Sequence, residues 1–233
     1  MSGLYASANA MRNLMQRQEA IANNLANLET PAFKRSVMAT HGFGEALDET
    51  MTKSAQSLMP ISEGGIDLSQ GPLQSSEREL DLALEGPGFF VIQTPQGERY
   101  TRAGNFRRDE EGRLTDQSGH PVLGSGGPIK LGDGPVSVQR DGSIKAGDQQ
   151  GTLRLVKLPT ESLVAVGGNL FSSSAKAEPA DEVSVRQGQL ERANTDSIQE
   201  LVGMIRVQRS YEAAGRSMQT VLAALERAAS ELR

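Results

Sequence analysis

Apolar and small residues recur near the start of the chain as Leu4, Ala8, Met11, Met15, Ala22 and Leu25, in steps of four and three with Gln18 in the gap. A second row, Leu14, Ile21 and Leu28, flanks the first. This is the period of one helix face, and the flanking row widens it beyond a thin seam. The spacing predicts a helix from Leu4 to about Asn27. Thr30-Pro31 ends it, because a residue before proline is pushed out of the helical region. At about 1.5 Å per residue such a helix is nearly 40 Å long.

The carboxyl end carries the stronger pattern. Leu201, Met204, Gln208, Tyr211, Gly215, Met218, Leu222, Leu225, Ala229 and Leu232 step by three and four without a slip. Ile198, Val202, Ile205 and Val221 broaden that face. Asp196 and Ser197 mark the start, with Gln199 and Glu200 placed three residues after each as in a capping box. One reading packs the two helices on each other within a monomer. The other joins chains, since two broad apolar faces at opposite ends of a chain are not fully covered by one partner each. On the second reading the interface is Leu4, Ala8, Met11, Met15, Ile21, Leu25 and Leu28 on the first helix. On the second helix it is Leu201, Met204, Ile205, Gln208, Tyr211, Met218, Leu222 and Leu225.

Between these ends the period changes. In ERELDLALEG, Leu80, Leu82 and Leu84 alternate with Glu79, Asp81 and Ala83, which predicts a half-buried strand with Asp81 on its polar face. Gly86-Pro87-Gly88 turns the chain into the apolar strand FFVIQT, and Pro95-Gln96-Gly97 predicts a hairpin into ERYTR. Asp141-Gly142, between VSVQR and SIKA, signals a type I′ hairpin. LRLVKL and SLVAVG supply further strands. Turns every 8–12 residues suggest an antiparallel sandwich or barrel-like domain. The expected organisation is α+β, with 1–36 and 186–233 helical, 37–65 a connector and 66–185 β-rich.

Composition sharpens this division. Of 25 glycines, 19 fall between Gly42 and Gly151, and no proline precedes Pro31 or follows Pro179. The absence of cysteine excludes disulfides, thiolate metal sites and a cysteine nucleophile. A net charge of −5 argues against nucleic-acid binding. No apolar run approaches the roughly 18 residues of a membrane span. MSGLYASANAMRN lacks the basic-then-apolar layout of a secretory signal.

Candidate chemistry is thin. Gly124-Ser125-Gly126-Gly127 lacks the Gly-Lys-Ser/Thr ending of a phosphate loop and reads as a turn. Asp109-Glu110-Glu111-Gly112 has the wrong spacing for a calcium loop. Of the two histidines, His41 falls in the connector and His120 beside Pro121, with no ligand partner evident for either. Asp81 and Glu85 could in principle serve glycoside hydrolysis, but alternation favours a structural role. The expectation is no enzyme, no cofactor and no metal.

Three ordered stretches then resemble one family. ANNLANLETPAFKR, residues 22–35, resembles the hallmark of bacterial flagellar rod and hook proteins. The stretch 80–124, beginning LDLALEGPGFF, is similar to that family's central module, carried by Gly86, Gly88, Phe89, Phe90, Tyr100, Thr101, Arg102 and Gly104. GQLERANTDSIQELVGMIRVQRSYEAAG, within 188–226, resembles its carboxyl-terminal helix. The resemblance implies an α-helical, coiled-coil-like inner domain made by pairing both chain ends, and a β-rich outer domain. It assigns Asn23, Asn24, Leu25, Asn27 and Phe33 to the inner-domain signature, and Met204, Ile205, Gln208, Arg209 and Tyr211 to the facing helix. Ala32 stands where relatives usually carry glycine, which argues against a positive φ there.

The implied role is a subunit of the basal-body rod, stacking helically into a drive shaft across the periplasm. Its implied partners are other copies, neighbouring rod subunits, the surrounding rings and the flagellar type III export apparatus, with no cleaved signal, no nucleic acid and no direct membrane insertion. Compact length and GHPVLGSGGPIKL favour a proximal rod subunit, with a distal one next. A wall hydrolase lacks a convincing acid/base pair, and a wall-binding module lacks aromatic platforms, there being no tryptophan.

Overall fold

The computed structural model describes residues 2–39, 63–180 and 182–231, without the side chains of 2–7, 39, 63–64, 225–226, 228–229 and 231. His41, Gly42 and Gly44 lie outside the described residues, as do the side chains of Leu4 and Leu225. The fold is α+β, with a β-rich body and one long helix from each end of the chain. It divides into two compact units.

The first unit holds the helices α1 (Ser2–Ala26) and α2 (Ser197–Glu231), which pack on each other, and an antiparallel strand pair, Ser36–Ala39 with Glu63–Ile66. Asp196 caps α2: its Oδ1 accepts from the backbone N–H of Ile198 at 2.8 Å and of Gln199 at 3.0 Å. Two donors left over by helix geometry are satisfied in this way. Glu200, the other residue of the expected box, is buried, and its Oε1 accepts from Asn24 Nδ2 at 3.3 Å. Asn24 also exchanges two bonds with Ser36, donating to its carbonyl and accepting from its N–H.

The second unit comprises Asn27–Arg35 and Leu68–Asn194. Its largest sheet is antiparallel, in the order Leu163–Gly167, Leu170–Ser173, Gly97–Thr101, Phe89–Thr94, Leu155–Lys157, Glu178–Pro179. Shorter ladders join Leu82–Glu85 to Ser184–Gln187, Leu73–Ser75 to Gln189–Glu191, and Val136–Val138 to Ser143–Ala146. The core gathers around Leu82, Leu84, Phe90, Ile92, Phe106 and Leu114. Phe90 and Phe106 meet edge to face at 5.0 Å, and Phe89 meets Phe171 at 5.8 Å.

Several local expectations change here. Leu82, Ala83 and Leu84 are all buried, so this strand is covered on both faces rather than alternating. Asp81 is likewise buried, bonded to the Ser76 hydroxyl, not on a polar face. The hairpin at Asp141-Gly142 forms, but the turn is not type I′. Gly142 donates to the Gln139 carbonyl at 3.0 Å and alone of the pair has positive φ, at +82°. A type I′ turn needs positive φ at both central residues, whereas this is a wider turn closed by a left-handed glycine. His120 has a carboxylate partner after all, its Nδ1 lying 3.0 Å from Asp116 Oδ2. Ala32 adopts φ +55° despite lacking glycine's freedom.

Candidate assembly surface

The inward side of α2 is set by the residues that meet α1. Glu200 and Val207 are buried, and Gly203 faces Ile21, where a Cβ would stand 3.4 Å from Ile21 Cδ1. Along the same line Met204, Tyr211, Ala214, Gly215, Met218 and Val221 are half-buried. The three–four row read from sequence therefore splits. Met204, Tyr211, Gly215 and Met218 lie on the covered side, while Leu201, Gln208 and Leu222 are exposed.

The uncovered side is apolar where α2 begins. Ile198 is 71% exposed and Ile205 55% exposed, and Leu201 and Val202 lie between them. These four recur at i, i+3, i+4 and i+7, so they form one stripe along the helix. On α1, Ile21 is buried, Met11 and Leu25 are half-buried, and Ala8 and Met15 are exposed. Leu28, also half-buried, falls within the second unit. With 35 residues against 25, α2 runs about 15 Å further than α1 can follow. A single α1 cannot cover it.

The β unit exposes far less apolar surface. Among the described residues, Val164 and Val166 are its only exposed large apolar side chains, on the edge strand Leu163–Gly167. The remaining motif residues build its interior. Gly104 lies so close to the Leu82 carbonyl that an added Cβ would stand 1.7 Å from it. Gly86 holds φ +106° in the turn before Phe89, and Gly88 packs against Val183. Thr101 Oγ1 donates to the Asn169 carbonyl at 2.8 Å, and Tyr100 is buried, which raises its phenol above the ordinary range. Arg102 is buried, with Nε donating to Glu191 Oε2 at 2.9 Å. Of the signature residues, Asn24 is buried, Asn27 and Phe33 are half-buried and Asn23 is exposed.

Sequence reasoning missed two buried charges, Lys34 and Glu191, whose side chains meet at 2.6 Å. It also missed the pairing of Asn24 with Glu200. Neither pair has a periodic signal, because the partners are 157 and 176 residues apart. Among the described residues no cluster of histidine and carboxylates is placed to hold a metal, and no helix is long and apolar enough to cross a membrane.

Comparison with known proteins gives three family matches in chain order. "Flagella basal body rod protein" matches 4–34, "Flagellar hook protein FlgE/F/G D1 domain" matches 83–152, and "Flagellar basal body rod FlgEFG protein C-terminal" matches 186–231. The chain is 32% identical to the flagellar basal-body rod protein FlgF of Caulobacter vibrioides, over 99% of this chain and 97% of that one. It is 33% identical to the flagellar basal-body rod protein FlgG of Bacillus subtilis, over 94% and 95% respectively. FlgF of Salmonella typhimurium is 32% identical, over 90% of this chain and 89% of that one.

Proposed function

Since this chain belongs to the flagellar basal-body rod protein family, we propose that it polymerises axially through its terminal helices to form part of the drive shaft. It is a structural subunit of the flagellar basal-body rod. The observation that carries the finer reading is the stripe Ile198, Leu201, Val202 and Ile205, exposed on α2 in the single chain. Fully burying an exposed side chain of this kind is worth about 1.5–3 kcal/mol, and these four, already partly covered, contribute roughly half of that each. A contact between unlike faces of successive copies builds a helical filament rather than a ring when the rotation between copies does not close.

Within the rod, the proximal position is our assignment, supported by the compact length and the stretch GHPVLGSGGPIKL. Identity does not separate the alternatives, since relatives named FlgF and FlgG stand at 32% and 33%. Neighbouring rod subunits and the surrounding rings are the proposed partners. The flagellar type III apparatus is the proposed export route, without a cleaved signal. The charged double variant Leu201→Asp/Ile205→Asp tests the stripe. Expressed as the sole copy, it is expected to give basal bodies interrupted at the rod, seen by electron microscopy, while the purified protein keeps its β-sheet circular dichroism. Normal rods from this variant would refute the assembly reading.

A further inference from the structure

The Lys34–Glu191 pair missed by periodicity sits where the chain repeatedly leaves the β unit. The chain passes between the two units at 26/27, 35/36, 67/68 and 194/195. The last three crossings converge on Glu191 and Asn194. Glu191 Oε1 accepts from Lys34 Nζ at 2.6 Å and from the Gly71 N–H at 2.9 Å, and its backbone carbonyl accepts from the Ala32 N–H at 2.7 Å. Asn194 Oδ1 accepts from the Arg35 N–H at 2.8 Å, and its Nδ2 donates to the carbonyl and the hydroxyl of Ser69, both at 3.1 Å. Lys34 Nζ closes the circle by donating to the same Ser69 carbonyl at 2.6 Å.

We propose that Glu191 is a latch that gathers these three crossing strands of irregular chain, none of them a β-strand, into one bundle, so that they open and close as a unit rather than as separate linkers. The physical reason is charge. Glu191 is buried with two cations, and a buried ion is costly unless each partner stays in place. Arg102 is held inside the β unit by the carbonyls of Gly86 and Gly88, each at 2.9 Å. Lys34 rests on Ser69, itself part of a crossing strand. With a neutral amide at 191 the ion pair is lost, and the strand that carries Lys34 is no longer tied to the one that carries Glu191. The bonds from the Ala32 N–H to the Glu191 carbonyl and from the Arg35 N–H to Asn194 Oδ1 then open together.

Native-state hydrogen exchange on the full chain tests this, because amides report local opening separately from global unfolding. The amides of Ala32 and Arg35 report the first strand. Asn194, whose N–H donates to the Phe33 carbonyl at 3.3 Å, reports the last. Leu114 and Val122, bonded within the core at 2.9 and 2.8 Å, are the references. In Glu191→Gln the three strand amides are expected to exchange faster by one common factor of at least about tenfold, the scale of a lost charge-assisted hydrogen bond. In wild type and variant alike they are expected to open at lower free energy than the references. Lys34→Met cuts only the strand side of the latch and is expected to give the same pattern, which decides the matter if the glutamine variant does not fold. Strand amides that in wild type open only at the free energy of the references would mean that they open by global unfolding, and would overturn the proposal. So would unchanged strand amides, or acceleration at Ala32 and Arg35 that leaves Asn194 unmoved.

Discussion

Ala32 holds φ +55° with its N–H committed to the Glu191 carbonyl and its methyl group buried. The left-handed conformation costs about 1–2 kcal/mol for a residue with a Cβ. Glycine would relieve that, but it adds about 0.4–1 kcal/mol of chain entropy in the unfolded state and removes about 0.8 kcal/mol of buried methyl. Ala32→Gly is therefore expected to leave urea-unfolding stability within about 1 kcal/mol of wild type. Ala32→Val adds branching where positive φ is an outlier, and is expected to cost about 2 kcal/mol or more. Gly104 is a stricter case, because its neighbour is backbone. Gly104→Ala is expected to cost about 3 kcal/mol, measured in the same way. These positions also show where reading a sequence stops. Gly104 was legible as part of the central module's motif, yet its reason is the Leu82 carbonyl, visible only in the fold. Glu191 gave no signal, since a lone glutamate ordinarily marks solvent and its cations lie 157 and 89 residues away.

Elements were legible wherever a period persisted long enough to outweigh local accidents. Both helices begin or end within two residues of the points that capping and proline chemistry indicate, Ala26 for α1 and Ser197 for α2. Asp196 accounts for the second boundary, and Asp196→Ala is expected to lower stability by about 1 kcal/mol, read by urea unfolding. Short strands were harder, because burial on both faces erases alternation, as at Leu82–Leu84. The ladder between Leu82–Glu85 and Ser184–Gln187 ends on an exposed charge cluster with a testable pH signature. The hydrogen bonds from Arg186 and Ser184, then the Arg186 charge, hold the Glu85 carboxyl below its ordinary value. A carboxyl depressed in the folded state stabilises above its unfolded pKa, and that contribution is lost as pH falls through the folded one. A carboxyl NMR titration should place the Glu85 midpoint below that of an unstructured glutamate, and Arg186→Met should move it back up.

At the scale of the whole chain, the β unit is not a contiguous stretch of sequence. Its strands run past residue 185 through Ser184–Gln187 and Gln189–Glu191, and Asn27–Arg35 packs as part of it. The sequence placed those outer residues with the helices because they lie next to helical periods, and periodicity has no means of assigning a short aperiodic strand to a distant sheet. A fragment cut at 66–185 would lose the strand Gln189–Glu191 that pairs with Leu73–Ser75, and the tail of the one that pairs with Leu82–Glu85. It would also leave Arg102 buried without its carboxylate, and breaking a buried pair by removing one partner costs about 3–5 kcal/mol. A fragment spanning 27–194 keeps Lys34, Arg102 and Glu191 together along with every strand of the unit. The longer fragment is expected to unfold in one cooperative thermal transition. The shorter one is expected to melt lower by at least about 10 °C or fail to fold, since 3 kcal/mol shifts a domain of this size by roughly that much. Equal melting temperatures for the two fragments would mean that the flanking segments are accessories to a β unit complete without them.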